Sequence, residues 1–142
     1  MTVEFVDTNV LVYAYDRSAG SKYRRASALM EKLWSGNGGC TSIQVLQEFF
    51  VITTRKIAKP LRPERARAII GDMGAWRVHR PSVEDVLFAI DIAEKARISF
   101  WDGMVVRSAS VQGATVIWSE DLQSGGNISG VRIWNPFLDD RA

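Results

Sequence analysis

The sequence has 142 residues, is 46% hydrophobic and carries a net charge of +2, a profile that excludes a disordered polymer and fits one compact domain over residues 1–142. One cysteine, Cys40, and one histidine, His79, exclude an internal disulfide and a structural zinc site, which takes four such ligands. No cationic, apolar leader follows Met1 and no apolar run nears the ~20 residues of a membrane span, so a soluble, cytoplasmic protein without membrane contact is expected.

Residues 3–6 form a short β-branched and aromatic run that stops at Asp7-Thr8-Asn9, three residue types that cap helices, before apolar positions resume at Val10 and Leu11. Asp7 therefore belongs at the C-terminal end of a strand. Residues 21–35 read as an amphipathic helix with Ala26, Leu29, Met30 and Leu33 on one side and Gly36 as its stop. Residues 40–42 are a brief extended piece, and Ile43, Leu46, Phe50, Thr53 and Ile57 then recur at helical spacing to about Ala58. Glu48 lies inside that helix beside Phe49 and Phe50, which predicts that it borders the buried stripe instead of facing water. Pro63 opens a helix to about Met73, and residues 77–79 fit a short strand. Ser82 with Asp85 three positions on is the pattern of a capping box. Ser99 and Asp102 stand at the start of the next helix, which closes at Gly113; residues 115–118 are a buried strand ending at Ser119-Glu120-Asp121; residues 131–134 are the last strand. Strands separated by helices imply right-handed crossovers, hence a three-layer α/β/α sandwich with a mostly parallel central sheet.

In such sheets ligands bind outside the carboxyl ends of the strands, where Asp7 and Asp121 fall. Together with Asp102 and Glu48 they form a candidate set of four carboxylates. If they converge, each pair at 4 Å repels by about 4 kcal/mol at an effective dielectric of 20, and a cation or protonation must relieve that. With Cys and His ligation excluded, the donors are oxygens, which suits Mg²⁺ or Mn²⁺ and a metal-assisted phosphodiester displacement. Taken singly, each acid has a plainer reading. Asp7 fits a helix N-cap, Asp102 a first-turn acid favoured by the helix dipole, Asp121 a turn residue, and Glu48 a partner for a nearby Arg. The net charge is too small to announce nucleic acid, although residues 55–80 concentrate Arg and Lys, and Lys22, Arg24 and Arg25 form a second basic group. Such groups are also ordinary solvated helix faces.

At the four acids the sequence resembles the PIN-domain nucleases and, within them, the VapC-type toxins of toxin–antitoxin pairs. The matching segments are Phe5-Val6-Asp7-Thr8-Asn9-Val10-Leu11, Ser42 through Glu48-Phe49, Ser99-Phe100-Trp101-Asp102, and Ser119-Glu120-Asp121-Leu122-Gln123. The resemblance implies a metal-dependent endoribonuclease with Asp7, Glu48, Asp102 and Asp121 around one or two Mg²⁺ or Mn²⁺ ions, with Asp7 and Asp102 foremost as direct ligands, Glu48 binding or orienting the metal-bound water, and Asp121 completing the cluster or acting through water. It implies further that Thr8, Asn9 and Ser119 hold the acids by hydrogen bonds, that RNA is the substrate, that a cognate antitoxin covers the pocket, and that the protein is a homodimer. Trp34, Trp76 and Tyr23 are candidates for the dimer contact or for core. Alternatives are a catalytically silent RNA- or partner-binding domain of the same fold and a housekeeping RNA-processing nuclease. A haloacid-dehalogenase-type phosphatase needs a second Asp where this chain has Asn9, and a receiver-like module needs paired acids after the first strand.

Overall fold

A computed structural model describes residues 2–138. Six strands form one sheet in the order β3-β2-β1-β4-β6-β5, where β1 is Glu4–Val6, β2 Gly39–Ser42, β3 Arg77–His79, β4 Val116–Trp118, β5 Asn127–Ile128 and β6 Val131–Trp134. Every pairing is parallel except β5 with β6. Helices α1 (Thr8–Tyr13) and α2 (Ser21–Gly36) connect β1 to β2, α3 (Ile43–Arg55) and α4 (Pro63–Met73) connect β2 to β3, and α5 (Val83–Ala96) and α6 (Phe100–Val111) connect β3 to β4. The chain travels outward from β1 to β3 and then returns to the other flank of β1. Right-handed crossovers therefore put the first helices on one face and the later ones on the opposite face. The mixed α/β architecture with a mostly parallel central sheet is the one expected from the alternation of runs.

One cluster of buried apolar side chains lies against this sheet. Phe5, Val10, Leu11, Val45, Phe49, Ile117 and Ile133 are fully buried in it. Trp34 and Trp76 pack on each other with ring centroids 5.5 Å apart. A Cβ on Gly39 would stand 2.7 Å from the Trp76 ring, so the absence of a side chain there admits the indole. Among the described residues no helix is long and apolar enough to cross a membrane.

Several boundaries, and one strand, differ from the sequence expectation. Helix α2 runs through Gly36, and Asn37, at φ 57°, supplies the left-handed stop; Asn tolerates that conformation almost as Gly does. The third helix ends at Arg55, not near Ala58, because the Leu61 amide folds back to the Thr53 carbonyl at 2.8 Å and turns the chain. Strand β4 begins at Val116. The short β5 was not anticipated. It joins β6 through Ser129-Gly130, both at positive φ (52° and 81°), the two-residue hairpin turn whose twist matches paired strands.

Ser82 and Asp85 form the capping box: Ser82 Oγ accepts from the Asp85 amide, and the Asp85 carboxylate accepts from the Ser82 amide at 2.8 Å. Asp85 also accepts from Arg107 Nε at 2.8 Å, and His79 Nε2 stands 3.1 Å from it, joining β3, α5 and α6. The Ser82 amide above all, and then the Arg107 guanidinium, hold the Asp85 carboxyl well below the usual carboxylate range. Helices α5 and α6 approach so closely that a Cβ at Gly103 would lie 2.5 Å from the Ala89 carbonyl oxygen. Gly103→Ala is accordingly expected to push the two helices apart and to lower stability by about 1–3 kcal/mol. Urea unfolding checks this, and an unchanged midpoint would mean that the pair separates freely.

Candidate active site

Asp7 leaves β1 in an extended conformation and caps α1. Its amide donates to the Trp118 carbonyl at 3.0 Å, locking the end of β1 to the end of β4. The carboxylate is only 5% exposed. Oδ1 accepts from the Thr8 amide at 2.8 Å, and Oδ2 from the fully buried Ser119 hydroxyl at 2.7 Å. The same Ser119 oxygen accepts from the Asp121 amide at 3.2 Å and the Leu122 amide at 3.4 Å. Thr8 works in two directions, because its Oγ1 donates to Glu48 Oε1 at 2.9 Å. Asp7, Ser119, Asp121, Thr8 and Glu48 are thus one connected set drawn from α1, α3 and the loop after β4.

Charge is concentrated here. Burial is the main cause that pushes the Asp7 carboxyl up to about 6 from an ordinary 3.8; the hydrogen bonds from Ser119 and Thr8 oppose it, and the negative charges of Asp121 and Glu48 add to it. A cation beside this shielded carboxyl would favour its charged form.

The Asp102 side chain has no hydrogen bond to this set. Asp102 sits in the first turn of α6, where its amide donates to Ser99 Oγ at 3.0 Å. Gln44 Nε2 lies 3.5 Å from both Glu48 Oε1 and the Trp101 carbonyl oxygen, a pair of long contacts that holds the start of α6 against α3. Among the described residues no three Asp, Glu, His or Cys side chains are close enough to hold one ion between them. The donor set nevertheless fits a hard cation, since it consists of oxygens alone and carries the unbalanced negative charge felt at Asp7.

Two placements depart from the sequence reading. Glu48 is exposed, while Phe49 is buried and Phe50 half-buried. Successive helical residues point about 100° apart, so Phe49 faces the core while Glu48 faces the site. Asn9 holds the backbone and not an acid: its Oδ1 accepts from the Glu120 amide at 3.0 Å, fixing the turn before Asp121, and its Nδ2 is buried without a partner. Glu120 itself turns to Tyr13 Oη at 3.0 Å and to an ion pair with Lys22. Gln44 was missed, although its spacing of four residues from Glu48 on one helix face was a usable signal. Glu120, Tyr13 and Lys22 were not legible, because their contacts span about a hundred residues.

Residues 5–123 match the PIN domain family. Among solved structures the fold is similar to that of a toxin–antitoxin complex from Klebsiella pneumoniae, with TM-score 0.70 and 13% identity over 94% of this chain and 98% of the other. It is also similar to VapC20 of Mycobacterium tuberculosis, described as a sarcin-ricin loop cleaving toxin, with TM-score 0.64 and 20% identity over 83% and 89%. DNA-bound VapBC from Salmonella typhimurium aligns with TM-score 0.64 and 22% identity over 94% and 97%. No curated protein sequence matches the chain.

The raised Asp7 value sets a sign for stability. A carboxyl titrating higher in the folded state than in the unfolded one contributes stability that is present below the unfolded value of 3.8 and lost as pH rises through about 6. Metal-free Asp7→Asn protein, which lacks this charge, is expected to gain on wild type across that window, approaching about 3 kcal/mol above it. Urea denaturation in chelator at several pH values measures the difference, and parallel pH curves for the two proteins would contradict it.

Proposed function

Because this chain belongs to the PIN domain family, we propose that it is a divalent-metal-dependent endoribonuclease and the toxin of a toxin–antitoxin pair. The observation that carries this reading is the buried Asp7 carboxylate, wired through Ser119 to the Asp121 turn and through Thr8 to Glu48. PIN domains are generally nucleases, and divalent metal is typical of them. Three of the structural neighbours are described as toxin–antitoxin or VapBC complexes and one as a sarcin-ricin loop cleaving toxin, which supports the finer reading for this chain.

Asp7, Glu48, Asp102 and Asp121 would hold one or two Mg²⁺ or Mn²⁺ ions. When bound, these supply charge neutralisation at the scissile phosphate and a water acidic enough to attack near neutral pH. Asp7 serves as the rigid member, since both of its oxygens are already oriented by hydrogen bonds. Glu48, exposed and steered by Thr8 and Gln44, would orient the attacking water and accept its proton. Ser119 keeps Asp7 and the Asp121 turn in register. An antitoxin segment would block the same carboxylates.

The purified protein is expected to cleave RNA with Mg²⁺ or Mn²⁺ and to lose that activity in EDTA; undiminished cleavage in EDTA sinks the metal reading. Asp7→Asn and Asp102→Asn should each lower kcat by at least ~100-fold while the circular dichroism spectrum stays native. Added Mg²⁺ should raise the melting temperature of wild type more than that of Asp102→Asn, and equal shifts in differential scanning fluorimetry would remove Asp102 from the ligand set. The toxin assignment is checked by co-expression with the product of a short adjacent reading frame, which should co-purify and suppress cleavage.

A further inference from the structure

A cavity of about 370 Å³ lies beside α1, lined by Ala14, Tyr15, Arg17, Tyr23, Lys59, Leu61 and Arg65. Its three cations come from three separate segments: a 3-10 turn at Arg17–Ala19, the connection between α3 and α4, and the first turn of α4. Each segment is held by its own hydrogen bonds. Asp16 Oδ1 accepts from the Ser18 amide at 3.1 Å and shapes the turn that presents Arg17. The Leu61 amide, bonded to the Thr53 carbonyl at 2.8 Å, folds back the connection that carries Lys59. The Arg65 amide donates to the Arg62 carbonyl at 3.0 Å in the opening turn of α4.

The lining carries three cations and no carboxylate; burial raises the Tyr15 hydroxyl above its ordinary value, Arg65 opposes that rise and the acid Asp72 adds to it. None of Arg17, Lys59 and Arg65 has a carboxylate within ion-pair distance among the described residues. Arg65 stands at the positive end of a helix, where a cation is disfavoured, so helix stability does not account for it. Three exposed cations held around one cavity form a site for an anion with several charged oxygens. Two tyrosines share that lining, and aromatic faces accept stacked bases with little regard to sequence. Phosphate and base together describe a nucleic-acid strand better than they describe an acidic peptide.

The cavity shares no lining residue with the candidate active site, and the two are related through the elements α1 and α3. Tyr15 packs edge to face on Phe49, centroids 5.7 Å apart, and Phe49 follows Glu48 in α3. Asp7 and Ala14 bracket the single short helix α1, whose six residues rise ~9 Å, on the order of two or three nucleotides along a strand. Resting on the nuclease reading above, we propose that Arg17, Lys59 and Arg65, with Tyr15 and Tyr23, form a binding site for the backbone of single-stranded RNA a few nucleotides from the bond that is cut. The cations hold phosphates and the tyrosine rings take a base, so the site fixes which stretch of a bound strand meets the carboxylates.

The test is a triple variant, Arg17→Gln, Lys59→Gln and Arg65→Gln, in which all three exposed positions keep polar side chains and the fold is retained. Its substrates are the dinucleotide UpU and an oligouridylate of about 12 nucleotides. On the longer substrate KM should rise about tenfold or more with a much smaller change in kcat, and the dependence of log KM on log salt should flatten by about 0.7 for each phosphate contact removed. On the shorter substrate, which does not reach the cavity, the difference should shrink towards nothing. Retained cleavage with wild-type KM and salt slope on both lengths overturns this site while leaving the nuclease reading intact. Loss of antitoxin capture with RNA parameters unchanged overturns it in favour of a protein partner. Fluorescence anisotropy of the labelled longer oligonucleotide with Mg²⁺ separates the remaining cases. Binding that weakens in the triple variant although wild type cleaves nothing keeps the site and rejects the nuclease, whereas no binding and no cleavage by wild type rejects both.

Discussion

The Asp7 amide bonded to the Trp118 carbonyl joins β1 to β4 at the point where the sheet reverses its direction of growth. On one side of β1 the chain has gone outward to β3; on the other it returns through β4. The loops after these two strands diverge, and a crevice between them is a consequence of topology. Asp7 and Ser119 occupy the two lips and bond to each other at 2.7 Å. Everything proposed about chemistry depends on this contact. It buries a carboxylate, fixes both of its oxygens and sets the position of the turn that carries Asp121.

Burying Asp7 has an electrostatic cost, and the surroundings manage it selectively. The carboxyl keeps two hydrogen bonds but no cationic side chain as a hydrogen-bond partner, whereas the neighbouring Glu120 is given Lys22 and Tyr13. Asp85, on the far helices, receives Arg107 and His79. Acids with a bracing role are therefore paired with cations, and those of the candidate site are not. That contrast is what the proposed metal site rests on, since an ordinary ion-pair network would pair its acids with cations. The unpaired cations of Arg17, Lys59 and Arg65 form the complementary half, at the other end of α1. On the proposed function, a polyanion whose phosphates were divided between metal-backed carboxylates and a basic cavity would satisfy both halves together.

Secondary structure was legible wherever its cause was local. The capping box of Ser82 and Asp85, the Ser99 cap of α6, Pro63 at the start of α4 and the stop of β1 at Asp7 all follow from neighbours within a few residues. Boundaries slipped where another local choice was nearly equivalent, as with Gly36 against Asn37, or where a longer-range bond intervened, as with Leu61 and Thr53. Glu48 was misplaced for a geometric reason: bulky neighbours in sequence are not neighbours on a helix face.

By itself the sequence determined the alternation of strands and helices, and the positions of Asp7 and Asp121 after strands and of Asp102 in a first helical turn. These are properties of short windows, written in periodicity, capping residues and composition. Only the tertiary structure decided that Asp7 meets Ser119 across the switch point, that Thr8 reaches Glu48, that Gln44 ties α3 to α6, and that three cations from separate segments line one cavity. Strand order decides those meetings. It is set by which apolar faces bury one another, and a contact between residues a hundred positions apart leaves no periodic trace in the chain.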